Sequence, residues 1–371
     1  MRVALVHDWL TGMRGGEKVL EVLCELYPDA DVFTLLHQRG SVSATIERHR
    51  ITTSFIQRLP FAAARYRSYL PLFPLAIEQL SLDAYDLVIS SSHCAAKAVV
   101  VPGRARHITY CHSPMRYAWD QFDEYFGPAR VGPWLSRWCY RPLLARLARW
   151  DAATAPRVHR FVANSRHVAG RIQRYYNRSA TVVYPPVDTV YFHPSPDQRP
   201  TASCLVVSAL VPYKRVDRAI DACAAAGLPL RIVGDGPDRA RLQQQAGPHV
   251  TFLGRAPDET LRDEYRNASL VILPGEEDFG IVPLEAQACG RPVVALARGG
   301  ALETVRHGQT GLLFPEATVA SLAETLRAAT AHPFDTSQIR AHAERFGRDR
   351  HAAQLRAVID ETLASPIEQR W

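Results

Sequence analysis

The run Leu205-Val-Val-Ser-Ala-Leu-Val-Pro-Tyr-Lys-Arg-Val-Asp-Arg-Ala-Ile-Asp-Ala-Cys-Ala-Ala225, followed by Leu230-Arg-Ile-Val233, reads as strand, loop, helix and strand. Residues 205–209 form an apolar run of strand length, 216–225 space their apolar residues as a helix does, and 230–233 are strand-like again. Downstream the same unit repeats: helix 238–245 and strand 250–253, then helix 258–267 and strand 270–273. A short helix near 283–289, strands at 292–295 and 311–314, and a helix at 319–330 complete the series. Strands alternating with helices of this length make β-α-β units, and those units make a parallel sheet.

The first half opens in the same way, with strand 3–7, a glycine-bearing loop and helix 17–27. Further strands are expected at 31–35, 86–90, 107–111, 158–163 and 181–184, and the Pro-rich stretch from Pro185 to Pro200 reads as a linker. The fold class is therefore α/β, with two Rossmann-like domains expected to face one another across a cleft. A length of 371 residues accommodates two such cores, and 47% apolar with 22% charged residues excludes a disordered, collagen-like or coiled-coil chain. No apolar run approaches the ~18 residues of a membrane span, and Met1-Arg-Val-Ala-Leu-Val-His-Asp8 reads as a strand, not a signal peptide. Seven scattered cysteines without a C-x-x-C pair read as reduced thiols of a cytosolic protein.

Charge is unevenly spread. Residues 101–200 hold 15 Lys/Arg against 6 Asp/Glu, whereas 201–371 hold 19 against 21, so the basic excess belongs to the first half. Such a patch attracts nucleic acid, an anionic membrane surface or phosphorylated ligands. Of the 44 basic residues only Lys18, Lys97 and Lys214 are lysine, which singles them out in an arginine-biased chain. Two stretches, 55–73 and 134–150, interleave Arg with aromatics on expected helices. Helices lying on a membrane surface look like this, and so do helices packed on a domain with snorkelling Arg stems.

Several loops carry chemistry. In Leu273-Pro-Gly-Glu-Glu-Asp-Phe-Gly-Ile-Val-Pro-Leu-Glu-Ala-Gln-Ala-Cys-Gly290, a strand ends, a two-glycine loop follows, and a helix is expected to open with Pro283 at its first position. A helix N-terminus at the C-terminal edge of a parallel sheet binds phosphate through free N–H groups and the positive dipole end. Glu277 in the loop and Glu285 in the expected first turn can accept sugar or ribose hydroxyls; equally, Glu285 can complement the dipole and Glu277 can be a solvated loop acid. Lys214 and Arg215 precede a helix start, where two cations oppose the dipole unless an anion binds between. Gly234 lies in the tight turn Val233-Gly-Asp-Gly-Pro237, a weak signal alone. In the first half, Gly12-Met-Arg-Gly-Gly-Glu-Lys18 lets a ligand approach the backbone closely, His112 follows a strand, and Ser90-Ser-Ser-His-Cys-Ala-Ala-Lys97 groups hydroxyls, an imidazole and an amine. Asp29-Ala-Asp31 reads as a turn before a strand, and no other cluster resembles a metal cage. The sequon Asn177-Arg-Ser179 has no meaning in a cytosolic protein.

Together these pieces resemble the retaining glycosyltransferases of family 4, which have the GT-B fold. The resemblance rests on Gly15-Gly16, His112 with Pro114, Asn164-Ser165 with Pro185-Pro-Val-Asp188, Val211-Pro-Tyr-Lys-Arg-Val-Asp217, Phe252-Leu-Gly-Arg255 and the Glu277…Glu285 pair. The runs 110–120 and 208–217 look most like a bacterial branch of O-antigen and exopolysaccharide mannosyltransferases. The family implies transfer of one sugar from a nucleotide sugar to a hydroxyl, with retained configuration, no metal and no cofactor. By position, Lys214 and Arg215 would hold the donor diphosphate, Glu285 the ribose and Glu277 the sugar hydroxyls. Asp278, the amides around Phe279, Gly280 and Ile281, Gly234 and Arg255 would complete the donor site. His112 would touch the transferred sugar, and Gly15, Gly16, Lys18, His93 and Lys97 would form the acceptor and diphosphate loop. One departure is Ala209, where the family often has Arg; Arg215 is the candidate to replace that charge.

The expected division is 1–190 for an acceptor-side domain and 191–345 for a nucleotide-sugar domain, with a C-terminal helix over 346–371 packing back on the first. The expected donor is GDP-mannose, with a UDP-hexose as the rival. The acceptor is a lipid-linked oligosaccharide, reached by a cytoplasmic protein peripheral to the inner membrane and in contact with its anionic surface. A GT-B sugar-nucleotide epimerase would leave the stretches 55–73 and 134–150 without a purpose. A pyridoxal-phosphate phosphorylase would need Lys214, the second half's single lysine, as its Schiff-base residue. A nucleic-acid partner fits poorly with Glu276-Glu-Asp278 at the ligand edge.

Overall fold

Val3, Ala4, Leu5 and Val6 are all apolar because the strand they form is buried on both faces: Ala4 and Val6 pack into one cluster, Val3 and Leu5 into another. The same holds further along the chain, where Cys204 and Val206 point to one cluster and Leu205 to the other. Continuous apolar runs are what parallel sheets covered by helices on both sides require.

The computed structural model describes residues 1–196 and 200–366, and the chain divides into two units. One comprises Met1–Pro186 together with the chain from His351 onward; the other is Val187–Arg350. The first unit contains β1 (Val3–His7), β2 (Asp31–Thr34), β3 (Ile51–Thr53), β4 (Leu87–Ser92), β5 (Arg106–Cys111), β6 (Arg160–Ala163) and β7 (Ala180–Val182). They form one sheet in the order β3-β2-β1-β4-β5-β6-β7, with every neighbouring pair parallel. The second unit contains β8 (Cys204–Val207), β9 (Leu230–Val233), β10 (Val250–Gly254), β11 (Leu270–Leu273), β12 (Val293–Leu296) and β13 (Gly311–Phe314). Their order is β10-β9-β8-β11-β12-β13, again all parallel.

Each order reverses once, between β1 and β4 and between β8 and β11. In doubly wound sheets ligands bind where neighbouring strands send their chains to opposite faces. Four loops singled out in the sequence, those after β1, β4, β8 and β11, leave from these two switch points, and those after β5 and β9 leave one strand further out. Helices that frame them are α1 (Gly15–Leu26), α2 (Arg141–Ala153), α3 (Arg166–Tyr176), α4 (Val216–Ala226), α5 (Ile281–Ala288) and α6 (Arg348–Ala364).

The structure departs from the sequence reading at four places. Residues 55–73 are not one amphipathic helix but a chain of short turns, Phe55–Arg58, Ala62–Arg65 and Tyr66–Leu72. Phe61 adopts a left-handed conformation that separates the first two, Pro71 sits inside the last, and a short helix follows at once over Phe73–Glu78. The edge strand β3 has only three residues and no apolar run, and the sequence pattern missed it. Helix α5 begins at Ile281, so Pro283 is its third residue and Glu285 lies beyond its first turn. Pro is tolerated there because the first N–H groups of a helix have no intrahelical partner to lose. The C-terminal helix expected over 346–371 runs over Arg348–Ala364, with 367–371 outside the described residues. Its Leu355, Val358 and Ile359 pack with Val3, Leu5 and Leu20 of the first unit. Asn177 of the sequon closes α3 in the left-handed conformation that Asn tolerates.

Candidate active site

At the first switch point Asp8 leaves β1 fully buried, and its carboxylate accepts four backbone N–H groups: His93 (2.7 Å), Cys94 (3.0 Å), Ala95 (2.6 Å) and Ala96 (2.8 Å). His93 Nδ1 lies 3.0 Å from the same carboxylate, and its ring stands edge-on to Trp9 at 4.5 Å. Burial alone would push the Asp8 carboxyl up, but the charge and hydrogen bonds of His93, with a smaller effect of His7, outweigh it and hold the carboxyl well below its usual range. Asp8 thus pins the turn after β4 to the end of β1.

His7, the last residue of β1, is also fully buried. Its Nδ1 is 3.1 Å from Ser91 Oγ, which is in turn 2.8 Å from His112 Nε2. Burial pushes the His112 imidazole well below the usual range, so the ring is neutral. Gly16, the second residue of α1, lies over this group: a Cβ there would meet His7 Cε1 at 3.3 Å and His112 Nε2 at 3.6 Å. Gly15 has open space beside it. Asn164 donates to the His112 carbonyl at 2.9 Å and so ties β6 to the end of β5. Lys18 is half-buried on α1.

Lys97 is a correction. Expected at a ligand loop, its ammonium is buried against Asp151 (2.9 Å) and Thr154 Oγ1 (3.0 Å) and lies 4.6 Å from the Tyr176 ring centroid. Asp151 also accepts from Trp119 Nε1 (2.7 Å) and the Tyr176 hydroxyl (2.8 Å). Lys97 thereby bolts the turn after β4 to α2 and α3.

At the second switch point Lys214 and Glu277, from the loops after β8 and β11, form an ion pair with both side chains mostly buried. The two loops touch backbone to backbone, since a Cβ on Gly275 would lie 2.7 Å from the Tyr213 carbonyl. Arg218, buried in the first turn of α4, donates to the Pro274 carbonyl at 2.7 Å and clamps them further. Gly234 is required by fold packing, because a Cβ there would strike the Ser208 carbonyl at 1.8 Å. Arg215 has a left-handed backbone, and its guanidinium lies on Asp217 at 3.0 Å. Arg255 is exposed beyond β10.

The loop 274–280 is held by its neighbour, Gly300 N–H donating to the Glu277 carbonyl at 2.8 Å. Asp278 and Phe279 are buried, the latter with its ring 6.1 Å from that of Phe346, so only the backbone of Phe279 can serve a ligand. Gly280 turns the chain at φ +84° into the start of α5. Glu285 is buried and accepts from the Tyr265 hydroxyl at 2.9 Å; burial and then the Glu285 charge push that phenol well above its usual range. Sequence reading missed His7, Asp8, Glu17, Arg218 and Tyr265, and saw Ser91 only as one of a group of hydroxyls. For Asp8 a signal existed, an acid at the very end of a strand, and for Glu17 another, an acid in a first turn; for the rest the partners lie far off in sequence.

Two all-parallel, doubly wound units, each with a prepared loop cluster at its switch point, place the chain in the GT-B class. A family model described as Glycosyltransferase Family 4 matches residues 13–191, and one described as Glycosyl transferases group 1 matches 194–349. The chain belongs to glycosyltransferase family 4. It is 30% identical over 243 residues to a D-inositol 3-phosphate glycosyltransferase of Streptomyces bingchenggensis, covering 55% of this chain and 53% of that one. It is 40% identical over 122 residues to a GDP-mannose-dependent alpha-mannosyltransferase of Mycobacterium tuberculosis, covering 33% and 32%. The chain thus spans about half, or less, of the length of these curated relatives. Among solved structures, Anabaena HepE in complex with UDP superposes with a TM-score of 0.73 at 20% identity, covering 97% of this chain and 100% of that one, a likeness of fold.

Proposed function

We propose that the protein is a retaining, metal-independent glycosyltransferase that moves mannose from GDP-mannose to a hydroxyl of a lipid-linked glycan in surface polysaccharide synthesis. The observation that carries this reading is the meeting of Lys214 and Glu277 beside the N-terminus of α5. A cation, a carboxylate and the start of a helix come together there, and groups of that kind suit a diphosphate and sugar hydroxyls. The mannosyltransferase among the relatives supports the choice of donor.

In this reading Lys214 and Arg215 hold the diphosphate, the amides of 279–281 add to them, Glu277 accepts sugar hydroxyls and Glu285 the ribose hydroxyls. Tyr265 keeps the Glu285 carboxylate in place. His112 meets the transferred sugar. The acceptor oxygen bonds to the anomeric carbon on the face that the phosphate oxygen leaves, and the acceptor proton passes to that phosphate oxygen. Negative charge grows on the diphosphate, so fixed cations and helix amides there lower the barrier most.

A UDP-hexose donor is the second reading, favoured by the complexes of HepE with UDP and with UDP-glucose. A thermal-shift panel of GDP-mannose, GDP-fucose, UDP-glucose, UDP-GlcNAc and ADP-glucose, with and without EDTA, separates the two. A donor at 100 times its dissociation constant adds about 2.7 kcal/mol. Stabilisation by GDP-sugars alone, indifferent to EDTA, is expected; a response confined to UDP-sugars replaces the donor, and silence across the panel removes the donor-site assignment.

A further inference from the structure

Behind His112 lies a chain of polar groups that the sugar-transfer reading does not use. Glu17 is buried in the first turn of α1, accepts the Arg14 N–H at 3.1 Å and places Oε1 3.8 Å from His7 Nε2. That nitrogen has no hydrogen-bond partner among the described residues. His7 Nδ1, Ser91 Oγ and His112 Nε2 follow in sequence at 3.1 and 2.8 Å. Also facing the group are Asp8, bound to His93, and the His93 ring, 6.1 Å from His7 and 6.4 Å from His112; the Tyr110 ring lies 5.0 Å from His112.

A hydroxyl between two imidazole nitrogens has one proton, so it donates to one ring and accepts from the other. The direction is set at the far end. A lone pair on His7 Nε2 would face the Glu17 carboxylate at 3.8 Å in a site shut off from water, where like charge is costly; a proton there is attracted. With the ring's single proton on Nε2, His7 offers Nδ1 as acceptor, Ser91 donates to it, and Ser91 Oγ accepts from His112 Nε2–H. We propose that Glu17, His7 and Ser91 are positioning residues that hold His112 as its Nε2–H tautomer, leaving Nδ1 to accept a hydrogen bond from a substrate hydroxyl. The role of Nδ1 rests on the sugar-transfer reading; the tautomer does not.

Full-length protein carrying ¹⁵N-histidine tests the assignment through long-range ¹H–¹⁵N imidazole spectra, with His112 identified by its loss in His112→Gln. Wild type is expected to show a protonated Nε2 and a bare Nδ1 at His112. Ser91→Ala should convert that signal to a mixture of tautomers, and Ser91→Thr, which keeps the hydroxyl, should restore it. Glu17→Gln, which preserves shape and helix cap, should also give a mixture. In the transfer assay Ser91→Ala should lower kcat on the order of 10- to 100-fold, the loss seen when a partner that orients a histidine is removed, with donor KM little changed. A protonated Nδ1 at His112 in wild type overturns the proposal, as does an unaltered tautomer in both Ser91→Ala and Glu17→Gln. If the tautomers move as stated while no nucleotide sugar binds, the relay stands and the transfer reading falls.

Discussion

Lys214 decides the chemistry at the scale of one residue. Its ion pair with Glu277 neutralises a cation that the proposed diphosphate would otherwise claim, so donor binding must share or displace that contact. Lys214→Ala is expected to lower kcat on the order of 10²–10³-fold, the range for removing a group aimed at developing charge. Steady-state kinetics with the donor found by the thermal panel provides the check, and a loss under about tenfold rejects Lys214 as the main charge partner. Arg215 differs, since its guanidinium already rests on Asp217 and holds that carboxyl below its usual range. Arg215→Ala should weaken donor affinity if the side chain swings to the diphosphate in place of the absent Arg at 209; unchanged affinity leaves it a partner of Asp217. Lys214 and Glu277 were legible as two residues at two strand ends; that they pair with one another was not. The use of Lys97 was not, because its carboxylate lies 54 positions away on another element.

At the scale of elements, β5 stores a pH dependence. His107 is buried in that strand, with Nδ1 3.0 Å from the Arg157 carbonyl and Nε2 2.9 Å from Ser90 Oγ, and burial pushes it down to about 3 from 6.5. Between pH 6.5 and about 3 the unfolded chain binds a proton there that the fold refuses, so stability falls as pH falls across that window. The slope owed to one such group is at most about 1.4 kcal/mol per pH unit. Denaturant titrations of wild type and His107→Gln across this range should differ by that slope; equal slopes refute it. Element order and most strand positions were readable because apolar runs alternate with helical spacing. The start of α5 was misplaced by two residues because a proline signals a first turn without saying which of its positions it fills.

At the scale of the whole molecule, Phe61 (76% exposed), Trp134 (65%) and Trp138 (63%) present large apolar surfaces in stretches rich in arginine. No helix among the described residues is long and apolar enough to cross a membrane. The proposed lipid-linked acceptor makes contact with an anionic bilayer the expected use of these side chains. Co-sedimentation with phosphatidylglycerol vesicles should exceed that with phosphatidylcholine, weaken with salt, and drop when Phe61, Trp134 and Trp138 become Ser; equal partition to both lipids ends the idea. By itself the sequence determined a two-unit parallel α/β chain with its loops at the ligand edges, because periodicity and turn chemistry are local properties. Only the tertiary structure decided which acids and imidazoles meet. Asp8 with the turn at 93–96 and Ser91 between two rings are set by strand order, and strand order depends on contacts that no local pattern encodes.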